Sequence, residues 1–464
     1  MTHPNVLRVG YPLSFIARED GNLLVPHDTK SVYHYYLLDN LAATLVRDSH
    51  ESPSGYGSGL AQSWDRPSPR QWVLELRPGI AWSNGTAITP QEIAEHLRSL
   101  SSGKHRHVLH LRGLKNVSVD GRKIILEFRE DTNQGLIHEL SVADTGLVSP
   151  ANLRGDWSVT SGAFFVQSFD NGKKVVLRRN PHFPSQHAYP DQVELTDYTM
   201  KNIDRFFDAE AVDLLKLPVP LFREPNQKVL SRASQKLTGY PTWIYFFRFN
   251  TNKSVWRDAA ARRDLSALID KALEGYALAN LTRERQMIPE GYPGRIESVP
   301  SHSLRTNQRF SGMKLVINVL PSFAPAVSFQ QRLKESLGHA GIEVAFKEGW
   351  DLGPEDREID LQLHQFSGNQ KDSMGSWQFM FTPEIGPLVF YRPLAEPLLH
   401  KVTANVDDGA REQALKDLHT LVLRDAFTIP LFAEPDVIAA SKWVDLSHVN
   451  PFDMRLRLYE VRWK

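Results

Sequence analysis

GLAQSW at residues 59–64 begins the part of the sequence that decides the fold, followed by LELRPGIAWSNGT at residues 74–86 and TPQE at residues 89–92. Apolar and polar residues alternate from Gln71 to Arg77, which predicts a half-buried β-strand. Thr89 is followed by a proline and, three residues on, by a glutamate, which predicts a capped helix start. Together these patterns predict a strand, a tight turn and a helix in close succession.

The same alternation predicts further strands in the first third of the chain. Leu7 to Tyr11 is a short apolar alternation typical of a strand, and the Gly/Ser/Pro-rich stretch Ser52 to Gly59 is typical of a loop. Val117 to Phe128 alternates on both sides of Asp120-Gly121, which predicts a hairpin. This region is therefore predicted to be α+β.

Strand and helix patterns also alternate through the rest of the chain. Trp243 to Phe249 is an apolar run typical of a buried strand, and a helix face follows at Leu265, Leu268, Ile269, Ala272 and Tyr276. Leu315 to Phe346 reads as strand, helix and strand, with Gly341 as the helix stop. A last helix over Ala414 to Val422 leads into Phe427 to Phe432. These patterns predict α/β lobes, with Val437 to Trp463 returning to the first lobe.

Composition excludes several classes of protein. A chain of 464 residues exceeds the size of one hydrophobic core, so more than one packed region is expected. The 54 basic and 54 acidic residues balance, which argues against nucleic acid as a partner. No apolar run approaches a membrane span, so no stable membrane insertion is expected, and the absence of cysteine excludes thiolate chemistry. We expect either a cytoplasmic protein or one whose signal peptide was removed.

The three opening stretches resemble the signature of the family 5 extracellular solute-binding proteins, which include the dipeptide- and oligopeptide-binding proteins. Further stretches are similar to the same family in the same order, and they are listed here: residues 161–165 with 179–181, residues 243–251, and Arg411 through residues 429–431. The resemblance implies a two-lobed periplasmic binding protein fold of type II, cluster C-like, with an extra α+β subdomain inserted in the first lobe.

Mapped onto this chain, the resemblance implies a first lobe of residues 1–35, 156–240 and 435–464. The inserted subdomain is residues 36–155, and the second lobe is residues 241–434. Two hinge crossings are implied, near Gly239 to Pro241 and near Phe432 to Pro435.

The candidate ligand-binding residues follow from the resemblance as well. Trp243, Tyr245 and Arg248 lie after the first crossing, where related receptors present strand edge and aromatic side chains to the ligand. Asn369 stands where the family's peptide binders hold the ligand amine with an aspartate, and an amide gives a hydrogen bond of about half that strength. Asp372 is the alternative for this role. Trp377 is a candidate wall of the cleft.

The sequence contains no motif that favours metal binding or catalysis. His105, His107 and His110 are close together, but the basic neighbours Lys104 and Arg106 disfavour a metal cation, so no metal and no cofactor are expected. The sequence has no nucleophile elbow, no zinc-protease motif and no phosphate-binding loop. The sequence therefore does not favour an enzyme.

The leading hypothesis is a periplasmic or extracytoplasmic receptor, a monomer, that captures a peptide or other small solute and delivers it to the permease of an ABC importer. The first alternative is a cytoplasmic ligand-sensing module, and the second is an enzyme on a two-lobed scaffold. The sequence leaves the solute open between a peptide, a sugar, an opine and a metal chelate.

Overall fold

A computed structural model describes the following residues: 6–16, 18, 20–26, 32–49, 52, 55–102, 110–185, 189–199, 202–204, 212–278, 280–302, 307–323, 326–349, 356–367, 372–382, 386–451 and 455–464. The strands of this part of the chain are β1 (Val6–Tyr11), β2 (Val46–Asp48), β3 (Tyr56–Ser58), β4 (Ala61–Ser68), β5 (Gln71–Leu76), β6 (Leu114–Asp120), β7 (Lys123–Phe128), β8 (Phe164–Asp170), β9 (Lys174–Arg179), β10 (Gln192–Asp197), β11 (Leu214–Lys216), β12 (Gln235–Phe249), β13 (Thr282–Arg283), β14 (Lys314–Val319), β15 (Glu343–Glu348), β16 (Leu361–Ser367), β17 (Thr428–Ala440), β18 (Val444–Asp445) and β19 (Arg462–Trp463). Its α-helices are α1 (Val32–Leu41), α2 (Pro90–Ser102), α3 (Gly135–Glu139), α4 (Glu224–Arg232), α5 (Ala259–Ala272), α6 (Val327–Gly338), α7 (Ser373–Phe381), α8 (Arg392–Ala404) and α9 (Asp408–Arg424).

The strand, turn and helix predicted from the opening stretches are confirmed. Gln71–Leu76 forms β5, with Trp72 among the side chains on its buried face. Gly85 has a φ of 85°, in the left-handed region that glycine adopts without strain. The Thr89 amide donates to Glu92 Oε2 at 2.7 Å and the Glu92 amide donates to Thr89 Oγ1 at 3.2 Å, so a reciprocal capping box starts α2.

The inserted region builds its own sheet in the order β4-β5-β7-β6, and β6 and β7 form the predicted hairpin around Asp120-Gly121. Helix α2 packs on this sheet. Their shared core comprises Trp72, Leu74, Leu76, Ile93, Leu97, Val117, Ile124, Leu126 and neighbouring apolar residues. The core is thus assembled from segments close in sequence.

One large mixed sheet runs through the rest of the described chain in the order β15-β14-β16-β12-β17-β11-β1-β10-β9-β8. Strand β1 is parallel to β10 and β11, and β14 is parallel to β15 and β16. The antiparallel strands β12 and β17 connect these two parallel groups. Because Ser367 ends β16 opposite Trp243, and Lys216 ends β11 opposite Ile438, the carboxyl ends of both groups meet where β12 and β17 cross.

Separate cores lie on either side of this crossing. One contains Leu7, Val9, Leu177 and Leu195 together with Ile438 and other residues of the C-terminal segment. The other half has a core on each face of its sheet, around Phe247 and Ile317 on one face and around Phe246 and Leu418 on the other.

Two local predictions were wrong. Tyr56–Ser58, inside the predicted loop, forms β3 because it pairs with Val46–Asp48, a partner that local composition does not reveal. Helix α5 ends at Ala272, and Gly275 with a φ of 67° turns the chain before Tyr276. Tyr276 nevertheless packs against the core to which the helix belongs.

Candidate functional site

Strand register places five side chains on one face of the sheet at the crossing. Trp243 of β12 lies opposite Ser367 of β16 on one side and opposite Glu434 of β17 on the other, and Tyr245 lies opposite Gln365. Residues directly opposite each other in adjacent strands share a face, with Cβ atoms about 5 Å apart. We call Trp243, Tyr245, Gln365, Ser367 and Glu434 the crossing face.

The ladder between β12 and β17 is interrupted beside this face. Its register shifts between Thr238 and Pro241 and again between Pro241 and Trp243, and Pro241 lies opposite Pro435. Neither proline carries an amide hydrogen, so neither can donate a ladder hydrogen bond. The two long strands therefore share a weakened point at the level where the two halves join.

Both aromatic residues of the crossing face donate to acidic residues of β17. Trp243 Nε1 donates to Asp436 Oδ1 at 2.9 Å, and the Tyr245 hydroxyl donates to Glu434 Oε2 at 2.7 Å. All four side chains are buried. Burial, with the nearby Glu434 carboxyl adding to it, raises the pKa of Tyr245 well above its ordinary value, so its hydroxyl keeps its proton.

The two carboxyl groups on β17 differ in their charge partners. Lys216 Nζ lies 3.0 Å from Asp436 Oδ2, donates to the Tyr36 hydroxyl at 2.9 Å and lies 4.1 Å from the Tyr36 ring centroid. Glu434 accepts from Tyr245 and from the Leu221 amide at 2.6 Å. Within the described ranges no cation forms an ion pair with Glu434, and burial raises its pKa to about 8.

Contacts also join the inserted region to the half that contains α8. Asn133 Nδ2 donates to the carbonyls of Val402 at 2.9 Å, Thr403 at 3.1 Å and Asn405 at 2.8 Å. These carbonyls lie at the C-terminal end of α8, where the last carbonyls of a helix have no N–H donors within the helix. Arg66 Nη1 reaches the Val406 carbonyl at 3.5 Å. The inserted region thus caps a helix of the opposite half.

A small cavity lies beside this contact, between α3 of the inserted region and α7 and α9. Its volume is about 20 Å³, enough for a water molecule. His110, His138 and Glu139 line it from the inserted region, and Asp372 and Arg411 line it from the other half. The five side chains bring mostly charged or titratable groups to a boundary between two parts of the fold.

Asp372 caps a helix and pairs with an arginine at this boundary. One carboxylate oxygen accepts from the Met374 amide at 2.9 Å and caps α7, and the other accepts from Arg411. Burial opposes the charged form, but the Arg411 guanidinium and the Met374 amide outweigh it and hold the pKa of Asp372 below its usual value. Asp372 is therefore an ionised carboxylate that already has a cation.

The structure brings together two of the six residues predicted to bind ligand. Trp243 and Tyr245 both lie on the crossing face. Arg248 lies on the opposite face of β12, where its Nε donates to Gln362 at 2.8 Å, because side chains alternate along a strand. Asn369 falls outside the described residues.

Trp377 lies in α7, and Asp372 is the N-cap residue that precedes this helix. Trp377 is 1% exposed and stacks on Phe381 with ring centroids 6.3 Å apart, which is the arrangement of a core residue. A ligand contact by any of these residues stays a prediction.

Sequence reasoning missed Glu434, Asp436, Lys216, Gln365 and Ser367. A signal for the first two was present, since Glu434 and Asp436 are the acidic residues of an otherwise apolar strand from Thr428 to Ala440. Acidic residues on a buried strand need compensation or a function. Gln365 and Ser367 gave no such signal, because their shared face depends on strand register.

The histidine cluster gives no support for a metal site. His105 and His107 lie outside the described residues, and within those residues no group of three or more metal-binding side chains occurs. His110 is half-buried, and loss of solvation together with the positive charge of Arg411 lowers its pKa to about 4, so it is neutral near pH 7. In the described ranges, no helix combines the length and apolarity that a bilayer crossing requires.

The chain is similar to known proteins. The family model described as "Bacterial extracellular solute-binding proteins, family 5 Middle" matches residues 55–386. The periplasmic oligopeptide-binding protein OppA of Salmonella typhimurium is 21% identical over 271 residues, which cover 50% of this chain and 48% of OppA. The chain thus matches about half the length of this curated relative.

Solved structures match almost the whole chain. NikA from Brucella suis in complex with Fe(III)-EDTA has a TM-score of 0.79 at 15% identity, covering 99% of this chain and 100% of NikA. The dipeptide-binding protein from Pseudoalteromonas sp. SM9913 in complex with Met-Leu has a TM-score of 0.78 at 14% identity, covering 99% and 100%. At these identities the likeness establishes the fold.

The fold and the crossing define a class: a two-lobed α/β binding protein of the type II periplasmic kind, whose parallel strands from both halves end at a shared boundary. The predicted fold class is thereby confirmed. The match over residues 55–386 identifies the family, and the chain belongs to family 5 of the bacterial extracellular solute-binding proteins.

Proposed function

We propose that this chain is the solute-capturing component of an ABC importer, which closes two lobes around a peptide or another small solute. The observation that supports it most is that the parallel strands of both halves end at one crossing. Ligands of open α/β sheets bind outside the carboxyl ends of the strands. A solute at this place contacts both halves and stabilises their closed arrangement.

The hinge lies near Gly239 to Pro241 on β12 and near Phe432 to Pro435 on β17. The shifted register around Pro241 and the absence of amide hydrogens on both prolines support this position. The lobes are then the ranges predicted above: residues 1–35, 156–240 and 435–464 for the first lobe, 36–155 for its inserted subdomain and 241–434 for the second lobe.

The contacts of Asn133 and Arg66 belong to the closed state. They link the inserted subdomain to the C-terminal end of α8 across the lobe boundary. Two cavities in the described part of the chain have volumes of about 20 Å³ each, whereas sites for small organic ligands usually exceed about 300 Å³. Opening of the lobes therefore precedes entry of a solute.

Delivery follows closure. A permease recognises the closed receptor, takes over the solute and releases the receptor, which works as a monomer outside the cytoplasm. The family match to extracellular solute-binding proteins supports this location and this role, and it favours a receptor over an enzyme.

The test is a distance measurement across the cleft. The chain has no cysteine, so Lys173→Cys and Glu358→Cys introduce a single pair of spin labels, one in each proposed lobe, at side chains that are 78% exposed. Double electron–electron resonance is recorded with and without a casein hydrolysate, which supplies peptides and amino acids. We expect the hydrolysate to shift the distance distribution towards one narrow, closed population.

A second label pair inside one lobe, Lys173→Cys with Arg70→Cys, is the control and keeps its distance. An unchanged distribution for the pair across the cleft contradicts the proposed closure. Equal shifts in both pairs contradict the proposed lobes. Uptake of the retained solute by cells lacking the gene then tests the importer role, because loss of the receptor abolishes it.

A further inference from the structure

Glu434 is a buried carboxyl group at the crossing without a charge partner among the described residues. It is 0% exposed, and its two neighbours within hydrogen-bond distance, Tyr245 and the Leu221 amide, are both neutral donors. Asp436, two residues on, has Lys216 at 3.0 Å. A buried carboxylate without a cation is costly, and such groups are found where a function requires them.

Two oxygen atoms on the same face also lack partners. Gln365 Oε1 and Ser367 Oγ are buried and accept or donate no hydrogen bond within the part of the chain that the structure describes. Register places both on the crossing face, in the strand next to Trp243 and Tyr245. An unpaired buried acceptor is destabilising, so a donor that arrives with a ligand relieves this cost.

Taken together, the crossing face offers a carboxyl group, an amide oxygen, a hydroxyl and two aromatic rings. Lys216 is already paired with Asp436 and with Tyr36. Burial raises the pKa of Glu434 to about 8, so the group is protonated near pH 7, and among the described residues no cation pairs with its ionised form. A partner that fits this set carries a positive charge and several N–H donors, and aromatic rings favour such cations. Anionic groups do not fit it.

We propose that Glu434 is the anchor for an ammonium or guanidinium group of the bound solute, with Gln365 and Ser367 accepting its remaining hydrogen bonds. This proposal rests on the proposed function, because the group reaches Glu434 only when the lobes open. It specifies the charge of the solute, and it places the contact on β17 rather than at Asn369 or Asp372, the positions suggested by the family resemblance.

The test compares two ligands of the same shape, n-butylguanidinium and n-butylurea, by isothermal titration calorimetry at pH 8.5, where Glu434 is ionised because its raised pKa is about 8. Wild-type protein is expected to bind the guanidinium at least about tenfold more tightly than the urea, because a charge-assisted hydrogen bond is about twice as strong as a neutral one. Glu434→Gln removes the charge and brings the two affinities to within about threefold. Its amide oxygen and amino group still match the Leu221 amide and the Tyr245 hydroxyl, which favours folding.

Asp213→Asn is the matched control. It also removes a buried carboxylate, but in the first lobe, and its partner Arg8 is 42% exposed and becomes solvated. The control keeps the wild-type preference for the guanidinium. Equal affinities for the two ligands in wild-type protein overturn the anchor, as does no detectable binding of n-butylguanidinium or an unchanged preference in Glu434→Gln.

The spin-label pair across the cleft distinguishes a failure of the Glu434 anchor from a failure of the proposed function. If the casein hydrolysate closes the lobes while the preference for the guanidinium is absent, the receptor stands and Glu434 is not its anchor. If neither closure nor the preference is observed, both proposals fail. For a Glu434→Gln protein that does not fold, Glu434→Asp retains the charge and is expected to retain the preference.

Discussion

The inserted subdomain and the crossing face are held together by different kinds of interaction. In the subdomain, β5, the turn at Gly85 and α2 are held by apolar burial and by hydrogen bonds between residues near in sequence, such as Thr89 with Glu92. On the crossing face, Trp243, Ser367 and Glu434 come together from three distant segments and are mostly polar. Local sequence patterns therefore determine the structure of the subdomain, whereas long-range strand register determines which side chains meet on the crossing face.

The largest expected effect comes from the apolar core of the subdomain. Trp72 is 1% exposed, and its Nε1 donates to Thr132 Oγ1 at 2.8 Å. Trp72→Ala leaves a cavity and removes one of the hydrogen bonds of the Thr132 hydroxyl, and we expect a loss of about 3–5 kcal/mol in the free energy of unfolding. Urea denaturation followed by circular dichroism measures it. Trp72→Phe, which keeps most of the volume, is expected to lose less; equal losses contradict the packing account.

The next effect concerns the paired carboxylate at the crossing. Asp436→Asn leaves Lys216 buried without its counter-ion, and breaking a buried ion pair costs about 3 kcal/mol. The partly exposed pair Lys174–Glu194 provides the control, since Glu194→Gln is expected to cost less than about 1 kcal/mol. Both are read from urea denaturation at pH 7. A loss for Asp436→Asn no larger than that for Glu194→Gln means that Lys216 does not depend on Asp436.

The two regions also differ in how much of their structure the sequence predicts. The capping box at Thr89, the hairpin at Asp120-Gly121 and the alternation of Trp72 with Leu74 are local patterns, so the elements they predict are found. Trp243 and Tyr245 were predicted from a resemblance, and Glu434 was missed. The reason is physical: which residues of β16 and β17 lie opposite Trp243 depends on register between segments 124 residues apart for Ser367 and 191 residues apart for Glu434, which no local pattern encodes.

The next prediction concerns the raised pKa of Glu434. Burial raises its pKa from the ordinary 4.5 to about 8, so between these values the folded state holds a proton that the unfolded state has lost. Stability from this group is therefore fully present below pH 4.5 and falls by up to about 1.4 kcal/mol per pH unit as the pH rises towards 8. Glu434→Gln removes this slope and is more stable than wild type at pH 8.5.

Denaturation curves of both proteins at half-unit steps from pH 5 to 8.5 measure the difference. The difference between the two curves isolates Glu434, because other titrating groups are common to both proteins. A constant difference over this range, or a variant that is less stable at pH 8.5, shows that Glu434 has a charge partner after all.

The smallest expected effect is at the start of α2. Thr89→Ala removes the hydroxyl that accepts from the Glu92 amide at 3.2 Å, and loss of such a cap costs about 1 kcal/mol. Thermal unfolding measures it, and Thr89→Ser, which keeps the hydroxyl, is the control. The subdomain does not provide the crossing face, so solute affinity is expected to be unchanged in Thr89→Ala. A loss of binding free energy that exceeds the loss in the free energy of unfolding contradicts the view that the subdomain and the crossing face are independent.

The measurement that tests the central claim most directly is hydrogen–deuterium exchange with and without the casein hydrolysate. Closure around a solute at the crossing predicts protection in residues 243–249 and 428–440, and in residues 132–137 and 402–406 where the lobes meet. The β6–β7 hairpin, residues 114–128, is expected to exchange at the same rate in both conditions. Protection confined to that hairpin, or spread evenly over the chain, contradicts a receptor that closes on its solute at the crossing of β12 and β17.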